Sequence, residues 1–362
     1  MTHNEWFKKE EKKPICVGTG LVALDVIIKD NNNPEAEILA GGSCGNVLTV
    51  LSYLNWESYP IAYLRDDSAA EKLLNDLEKW KVKTNFVYRS ESGNTPIIIE
   101  KFGTNNKGKP WHRFEWKCPY CKLRFPKYKS LPLNKVRKIS EEIPVSKVFY
   151  FDRIRKSTLE LATKSKKDGA LIVFEPSGIT NEKVFLNCIE IADIVKYSRE
   201  RLGHFKAILE DKNIPLEIET LDEEGLVYRF NGYKNLKGEW KRIQAYPVTK
   251  VKDTTGAGDW CTAGIVHILG KKGREGFLNA DEKKIQEALK FGQLLSAFKC
   301  YYEGARGCMY NVSEQDFKTI INRISEGADP LDLIENSKRI AENIYTISAC
   351  PFCDKQFITN EH

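Results

Sequence analysis

The sequence predicts an α/β fold: a mostly parallel central sheet flanked by helices, with a small second β-sheet set apart from it. Three observations carry that expectation. Short apolar or β-branched runs alternate with charged runs of helical period, the pattern of βαβ units. A turn of three small residues, Gly256, Ala257 and Gly258, stands between a strand-like run and a helix. Two turn-rich, strand-like segments interrupt the alternation where helices are due.

Taken in order, "PICVGTGLVAL" reads as a buried strand entering a loop. "GNVLTVLSYLNW" places Val47, Val50, Leu51 and Leu54 at helical spacing. "YPIAYL" is a strand and "AAEKLLNDLEKW" an amphipathic helix. "KVFYFDR", "ALIVFEP", "ADIVKYS" and "LEIETL" are further strands, and "IQAYPV" is strand-like before the small-residue turn. "DWCTAGIVHILG" is a helix stopped by Gly270, and "EKKIQEALKFGQLLSAFKCYY" is a longer one. The interruptions are "DVIIKDNNNPEAEILAGG" and "NTPIIIEKFGTNNKGKPWHRFEWKCPYCKLRFP". They predict a lid made of residues about 26–40 and 92–127, and residues about 345–362 form a short appendage. The whole chain, 1–362, reads as a single domain with these additions.

Composition narrows the function classes. With 41% hydrophobic and 29% charged residues, the chain has the make-up of a globular protein with a sizeable core. A net charge of +6, spread along the chain, is weak evidence for nucleic acid and suits an anionic ligand about as well. No apolar run reaches the roughly 18–20 residues of a membrane helix. The charged N-terminus lacks an apolar signal region, so a cytoplasmic location is expected. Ten cysteines then suggest reduced thiols and metal ligands, not a disulfide framework.

"KDTTGAGDW" carries the chemistry. The first N–H groups of a helix have no partner within it, and the helix dipole is positive there. Bare residues at 256–258 let a phosphate approach those amides, forming an anion hole. Asp259, one step on, can accept the proton of an attacking hydroxyl. A glycine turn with Asp253 or Asp259 as a helix cap is the plainer alternative.

The stretch "DTTGAGDWCTAGIV" resembles the C-terminal signature of the PfkB family of carbohydrate kinases, in the ribokinase-like superfamily. "GGSCGNVLTVLSYLNW" resembles the family's Gly-Gly segment, and Asp25 after "VGTGLVAL" its early acceptor-binding Asp. The resemblance covers roughly residues 14–312. It implies about nine strands and transfer of the ATP γ-phosphate, with Mg²⁺, to a hydroxyl of a sugar or nucleoside-like acceptor. Asp259 would be the base and Gly256, Ala257 and Gly258 the anion hole; Asp25, Gly41, Gly42 and Asn46 would hold the acceptor. Asp253 and Thr254 would lie near the nucleotide phosphates, and Gln293 near the adenine. Lids in the family often pair, which leaves a homodimer through the lid open.

The chain departs from the pattern in places. Where the family has Asn-x-x-Glu, this chain has Ser198 and Arg201, with Glu200 shifted by one and able to serve Mg²⁺ through water. The Gly-x-x-Gly nucleotide loop retains only Gly225, with Asp222 in place of the first glycine. Arg153, after the strand "KVFYF", is a candidate ligand for an anionic acceptor. His112, beside Trp111, reads as a stacking residue of the lid. "GTGLVA" matches a dinucleotide fingerprint, but the β-branched segment after it argues against that use.

"KCPYCKLRF" and "ACPFCDKQF" share spacing and a trailing Phe. Each places two thiolates on one tight turn, so Cys118, Cys121, Cys350 and Cys353 predict one closed structural zinc site. Redox pairs are the alternative. Two other functions stay open at this point. One is a catalytically degenerate nucleotide- or sugar-binding regulator, motivated by Ser198, Arg201 and Asp222. The other is a scaffold whose zinc knuckles bind a partner.

Overall fold

The computed structural model describes residues 6–7, 11–28, 36–104, 110–118, 121–202, 206–210, 212–231, 238–336 and 340. The strands in chain order are β1 (Ile15–Thr19), β2 (Ala23–Ile28), β3 (Ala36–Gly41), β4 (Glu57–Leu64), β5 (Val87–Arg89), β6 (Ile97–Thr104) and β7 (Pro110–Glu115), followed by β8 (Val148–Phe151), β9 (Leu171–Phe174), β10 (Ile194–Ser198), β11 (Leu216–Thr220), β12 (Leu226–Phe230) and β13 (Lys241–Ile243). Nine of them form one sheet, ordered β13-β12-β11-β10-β9-β8-β1-β4-β5. It is parallel except where β12 pairs antiparallel with β11 and β13.

The central strands are apolar on both faces because helices cover both. Every residue of β8 (VFYF) and β9 (LIVF) is buried. Adjacent residues of β1 enter different cores, Cys16 one and Val17 the other. The Cys16 core takes the helices Ser43–Tyr53, Ala257–Leu269 and Glu282–Cys300. The Val17 core takes Leu133–Glu142, Lys156–Lys167 and Glu182–Ile191. From Asp259 to Leu269 the helix is buried all round. It lies so close to its neighbour that a Cβ on Gly264 would sit 2.9 Å from the Gly292 Cα.

The second sheet has the order β3-β2-β6-β7. β2 runs parallel to β6 and antiparallel to β3. Register puts Asp25 opposite Leu39 and Ile98, and Ile27 opposite Glu100. Asp25, Ile27, Ile98, Glu100 and Gly41 therefore share one face, by the two-residue period of strands.

One expectation fails. "IQAYPV" is not a strand: β13 ends at Ile243, and residues 244–255 carry no strand. Pro247 has no N–H to give a ladder. The segment instead packs its backbone against Gly225, where a Cβ would lie 2.2 Å from the Ile243 carbonyl oxygen. No helix among the described residues is long and apolar enough to cross a membrane.

Candidate active site

Gly256 caps the Ala257–Leu269 helix in the left-handed region, at φ 75°, which suits glycine. A Cβ there would meet Ala305 at 2.7 Å, so the turn rests directly on the loop that follows the Glu282–Cys300 helix. Gly258 is exposed, and Gly256 and Ala257 are half-buried, so the turn opens to solvent. The Ala257 N–H donates to the Thr254 carbonyl at 3.1 Å, within the turn itself. Thr254 is exposed.

Asp259 points inward from the first helical turn, 9% exposed. Its Oδ2 accepts from Asn46 Nδ2 at 2.7 Å. Asn46 belongs to the Ser43–Tyr53 helix, which starts after Gly42, itself at φ 78°. A Cβ on Gly42 would lie 2.5 Å from the Leu21 carbonyl oxygen. Gly41 is required for another reason: its Cβ would fall 1.7 Å from Asp25 Oδ2. The two glycines thus let the Asp25 carboxylate lie against the chain just before the Asn46 helix. Burial pushes the Asp259 carboxyl up to about 7, and Glu175 adds to this against the Asn46 hydrogen bond and Lys196. Burial likewise raises Asp25 to about 7, opposed by Arg306 and the Gly42 N–H.

Beneath the turn lies a pair that sequence reasoning missed. Lys196 of β10 donates to Glu175 Oε1 at 2.6 Å, and both are largely buried. A Cβ on Gly258 would be 3.7 Å from Lys196 Nζ and 4.0 Å from Glu175 Oε1. Glu175 Oε2 also accepts from Thr262 at 2.6 Å and Tyr150 at 3.3 Å. Burial would lower Lys196, but Glu175 outweighs it and holds the ammonium above its ordinary range.

Asp253 is buried and engaged internally. Its Oδ1 accepts from the Thr255 N–H (2.9 Å) and hydroxyl (2.8 Å), and its Oδ2 from the Gly304 N–H (2.8 Å) and Lys299 Nζ (3.1 Å). Burial raises this carboxyl, but Lys299 and the Thr255 hydrogen bonds prevail and hold it below the usual range. Across the cleft, Arg306 grips β3: Nη2 donates to the Ala40 carbonyl and to Asp76 Oδ2.

On the small sheet, Glu100 is 1% exposed and its Oε2 has no hydrogen-bond partner among the described residues. The same holds for Asp25 Oδ1 and Asn46 Oδ1. Burial pushes Glu100 well above the carboxylate range, and Asp25 adds to it. Sequence reasoning also missed Glu100.

The other candidates are placed as follows. Arg153 Nη1 donates to Asp152 Oδ2 at 3.0 Å. Asp152 Oδ1 in turn accepts from the Leu21 N–H at 2.9 Å. Ser198 ends β10, and exposed Glu200 follows it in a one-turn helix. Glu200 acts on Asp222, which burial raises first. Gly225, at φ 92°, closes the turn between β11 and β12. Gln293 is buried within the long helix. The side chain of His112 lies outside the described residues. Cys118 and Cys121 sit on one tight hairpin, with the Lys122 N–H donating to the Cys118 carbonyl at 3.0 Å. Cys350 and Cys353 lie outside the described residues, and no group of three or more metal-ligating side chains occurs among the described ones.

The mostly parallel nine-stranded sheet flanked by helices, with its separate small sheet, is a ribokinase-like α/β fold. An uncharacterised sugar kinase from Pyrococcus horikoshii, solved in complex with ATP, matches it with a TM-score of 0.60 at 23% identity, over 80% of this chain and 93% of that one. A Vibrio cholerae fructokinase solved with fructose, ADP and calcium ion matches with a TM-score of 0.60 at 18% identity, over 81% and 94%. The model of the pfkB family carbohydrate kinases matches residues 141–311, the part that includes the Gly256–Gly258 turn. Mouse ketohexokinase is 23% identical over 317 residues, covering 82% of this chain and 99% of the relative. The chain is thus similar to the pfkB family carbohydrate kinases over residues 141–311 and shares its fold with solved sugar kinases.

Proposed function

We propose that the chain phosphorylates a hydroxyl of a sugar or nucleoside-like acceptor with the γ-phosphate of ATP. The observation that carries this reading is the 2.7 Å hydrogen bond from Asn46 to Asp259. It joins the helix that follows the Gly41–Gly42 segment to the helix that begins at the phosphate turn. A hydroxyl held by Asp25 and Asn46 is thereby set beside a carboxyl whose pKa, about 7, suits proton acceptance near neutrality.

In the step, the acceptor oxygen bonds to the γ-phosphorus as the bond to the β-bridging oxygen breaks, and Asp259 takes the hydroxyl proton. The exposed 256–258 turn receives the charge that develops on the transferring group. Lys196 and Glu175 form a charge-matched pair beneath Gly258, with the ammonium 3.7 Å from where a Gly258 Cβ would lie. The turn suits triphosphate oxygens, and Mg²⁺ bound with the nucleotide would neutralise them, with exposed Glu200 the candidate carboxylate to hold it through water. Glu100, on the Asp25 face of the small sheet, offers a further oxygen to a donor-rich acceptor.

An ADP-release assay with ATP and a panel of ketohexoses, aldoses and ribosides tests the reading. Turnover of at least one acceptor is expected, and silence across the panel sinks it. The Cys118–Cys121 hairpin suits two of four thiolate ligands, so one structural zinc per chain is also proposed. Elemental analysis of chelator-free protein should find it, and protein without zinc removes that part.

A further inference from the structure

The step above makes no use of Lys299, although the chain buries its charge completely. Lys299 is the penultimate residue of the Glu282–Cys300 helix. Its side chain and that of Asp253 are both 0% exposed. Nζ donates to the Asp253 carbonyl at 2.8 Å and to Asp253 Oδ2 at 3.1 Å. A charge placed there is costly unless paired and hydrogen-bonded, so its position has to serve a purpose that an apolar side chain would not.

Its surroundings give that purpose. Asp253 lies six residues before Asp259 and spends both carboxylate oxygens on the protein. One oxygen shapes the start of the turn through Thr255. The other draws in Gly304, next to the Ala305 on which Gly256 rests. The Lys252 N–H adds a 2.8 Å bond to the Cys300 carbonyl, so the strand of chain entering the turn is stitched to the end of the long helix. One cation, reaching both a carbonyl and a carboxylate of the same residue, closes this junction. Carbonyl and carboxylate oxygens are also the ligands that hard soluble cations take.

We infer that Lys299 is a tethered cation that holds the phosphate turn in its working shape, and that it frees turnover from any need for a soluble monovalent cation. This rests on the kinase reading. Lys299 touches neither acceptor nor phosphate in that reading, and is a positioning residue.

The test compares the wild type in buffers whose monovalent cation is tetramethylammonium or potassium. Equal rates of ADP formation are expected, and several-fold stimulation by potassium overturns the inference. Lys299→Met, checked for a native fold by circular dichroism, should lose about 10²-fold in kcat, the scale of loss for a misplaced catalytic frame, with less change in the acceptor KM. A folded variant within a few-fold of wild type overturns it.

Lys299→Ala should recover part of its lost rate with potassium or ammonium and none with tetramethylammonium. A folded Ala variant that no cation improves also counts against the inference. Where neither variant folds, the wild-type comparison decides alone. Were no sugar turned over, the kinase reading would fail by itself. Calorimetry of ATP binding in the two buffers then still reads the turn, and potassium-dependent affinity overturns the tether.

Discussion

The two sides of the candidate site treat buried polar groups differently. On the phosphate wall charges are matched: Lys299 with Asp253, and Lys196 with Glu175. On the acceptor wall Asp25 Oδ1, Asn46 Oδ1 and Glu100 Oε2 have no partner among the described residues. Arg306 compensates Asp76 and reaches Asp25 only through its field. The difference teaches what each wall is for. In the proposed reaction, a turn that meets the same phosphate oxygens in every cycle would be completed in advance. In the same reaction, a surface that recognises a polyhydroxylated molecule would keep oxygens whose hydrogen bonds that molecule supplies, and an analogue lacking those hydroxyls would be strongly penalised.

The contrast can be broken most sharply at Asp259, where the walls meet. Asp259→Asn keeps the shape and removes the base, so turnover should fall about 10²–10⁴-fold, the usual worth of such a group, with nucleotide affinity largely kept. Near-normal turnover in that variant would take the proton step away from Asp259.

Next in size is the pH response. Asp259 must be ionised to accept a proton, and burial sets its pKa to about 7. The rate at low acceptor concentration should therefore fall up to about tenfold per unit below pH 7 and level off above it. A profile flat from pH 5 to 8 would contradict the assignment.

The smallest effect sharpens the acceptor wall. Glu100 is raised well above its ordinary value, so the folded state binds its proton more tightly than the unfolded chain does. Its contribution to stability is thus fullest at low pH and declines as pH rises through the unfolded carboxylate range and beyond. Glu100→Gln removes that loss. At pH 8 the ligand-free variant should be more stable by on the order of 1–3 kcal/mol, while the acceptor KM rises several-fold. A thermal melt alongside acceptor titration checks both, and a destabilised variant with unchanged KM would show that Glu100 serves packing alone.

How much of this was legible beforehand follows from where the information sits. The 256–259 turn is read at a junction of elements, where small residues and a carboxylate stand out from the local pattern, whereas Gly41–Gly42, Asn46 and Asp25 were pointed out by the family resemblance. The parallel part of the large sheet followed from alternating apolar runs, each of which carries its own period, and the count of about nine strands came with the family resemblance. Lys196, Glu100 and Lys299 lie inside apolar runs ("DIVKYS", "PIIIEKF", "SAFKCYY"), where a single charge looks like a solvated face. Only the register of β2 and β6, or the approach of a distant carboxylate, shows that they point inward. The charge itself, set in a core-facing run, was the available signal. "IQAYPV" misled for the opposite reason: its composition is that of a strand, but Pro247 cannot join a ladder, and that residue was given too little weight.

The neighbours Ala305 and Arg306 link the walls mechanically. Ala305 is the bed of Gly256, and Arg306 holds the end of β3 through the Ala40 carbonyl. The residue that fixes the end of β3 and the residue under the Gly256 turn are thus chain neighbours, so the two halves of the proposed site share a junction two residues wide.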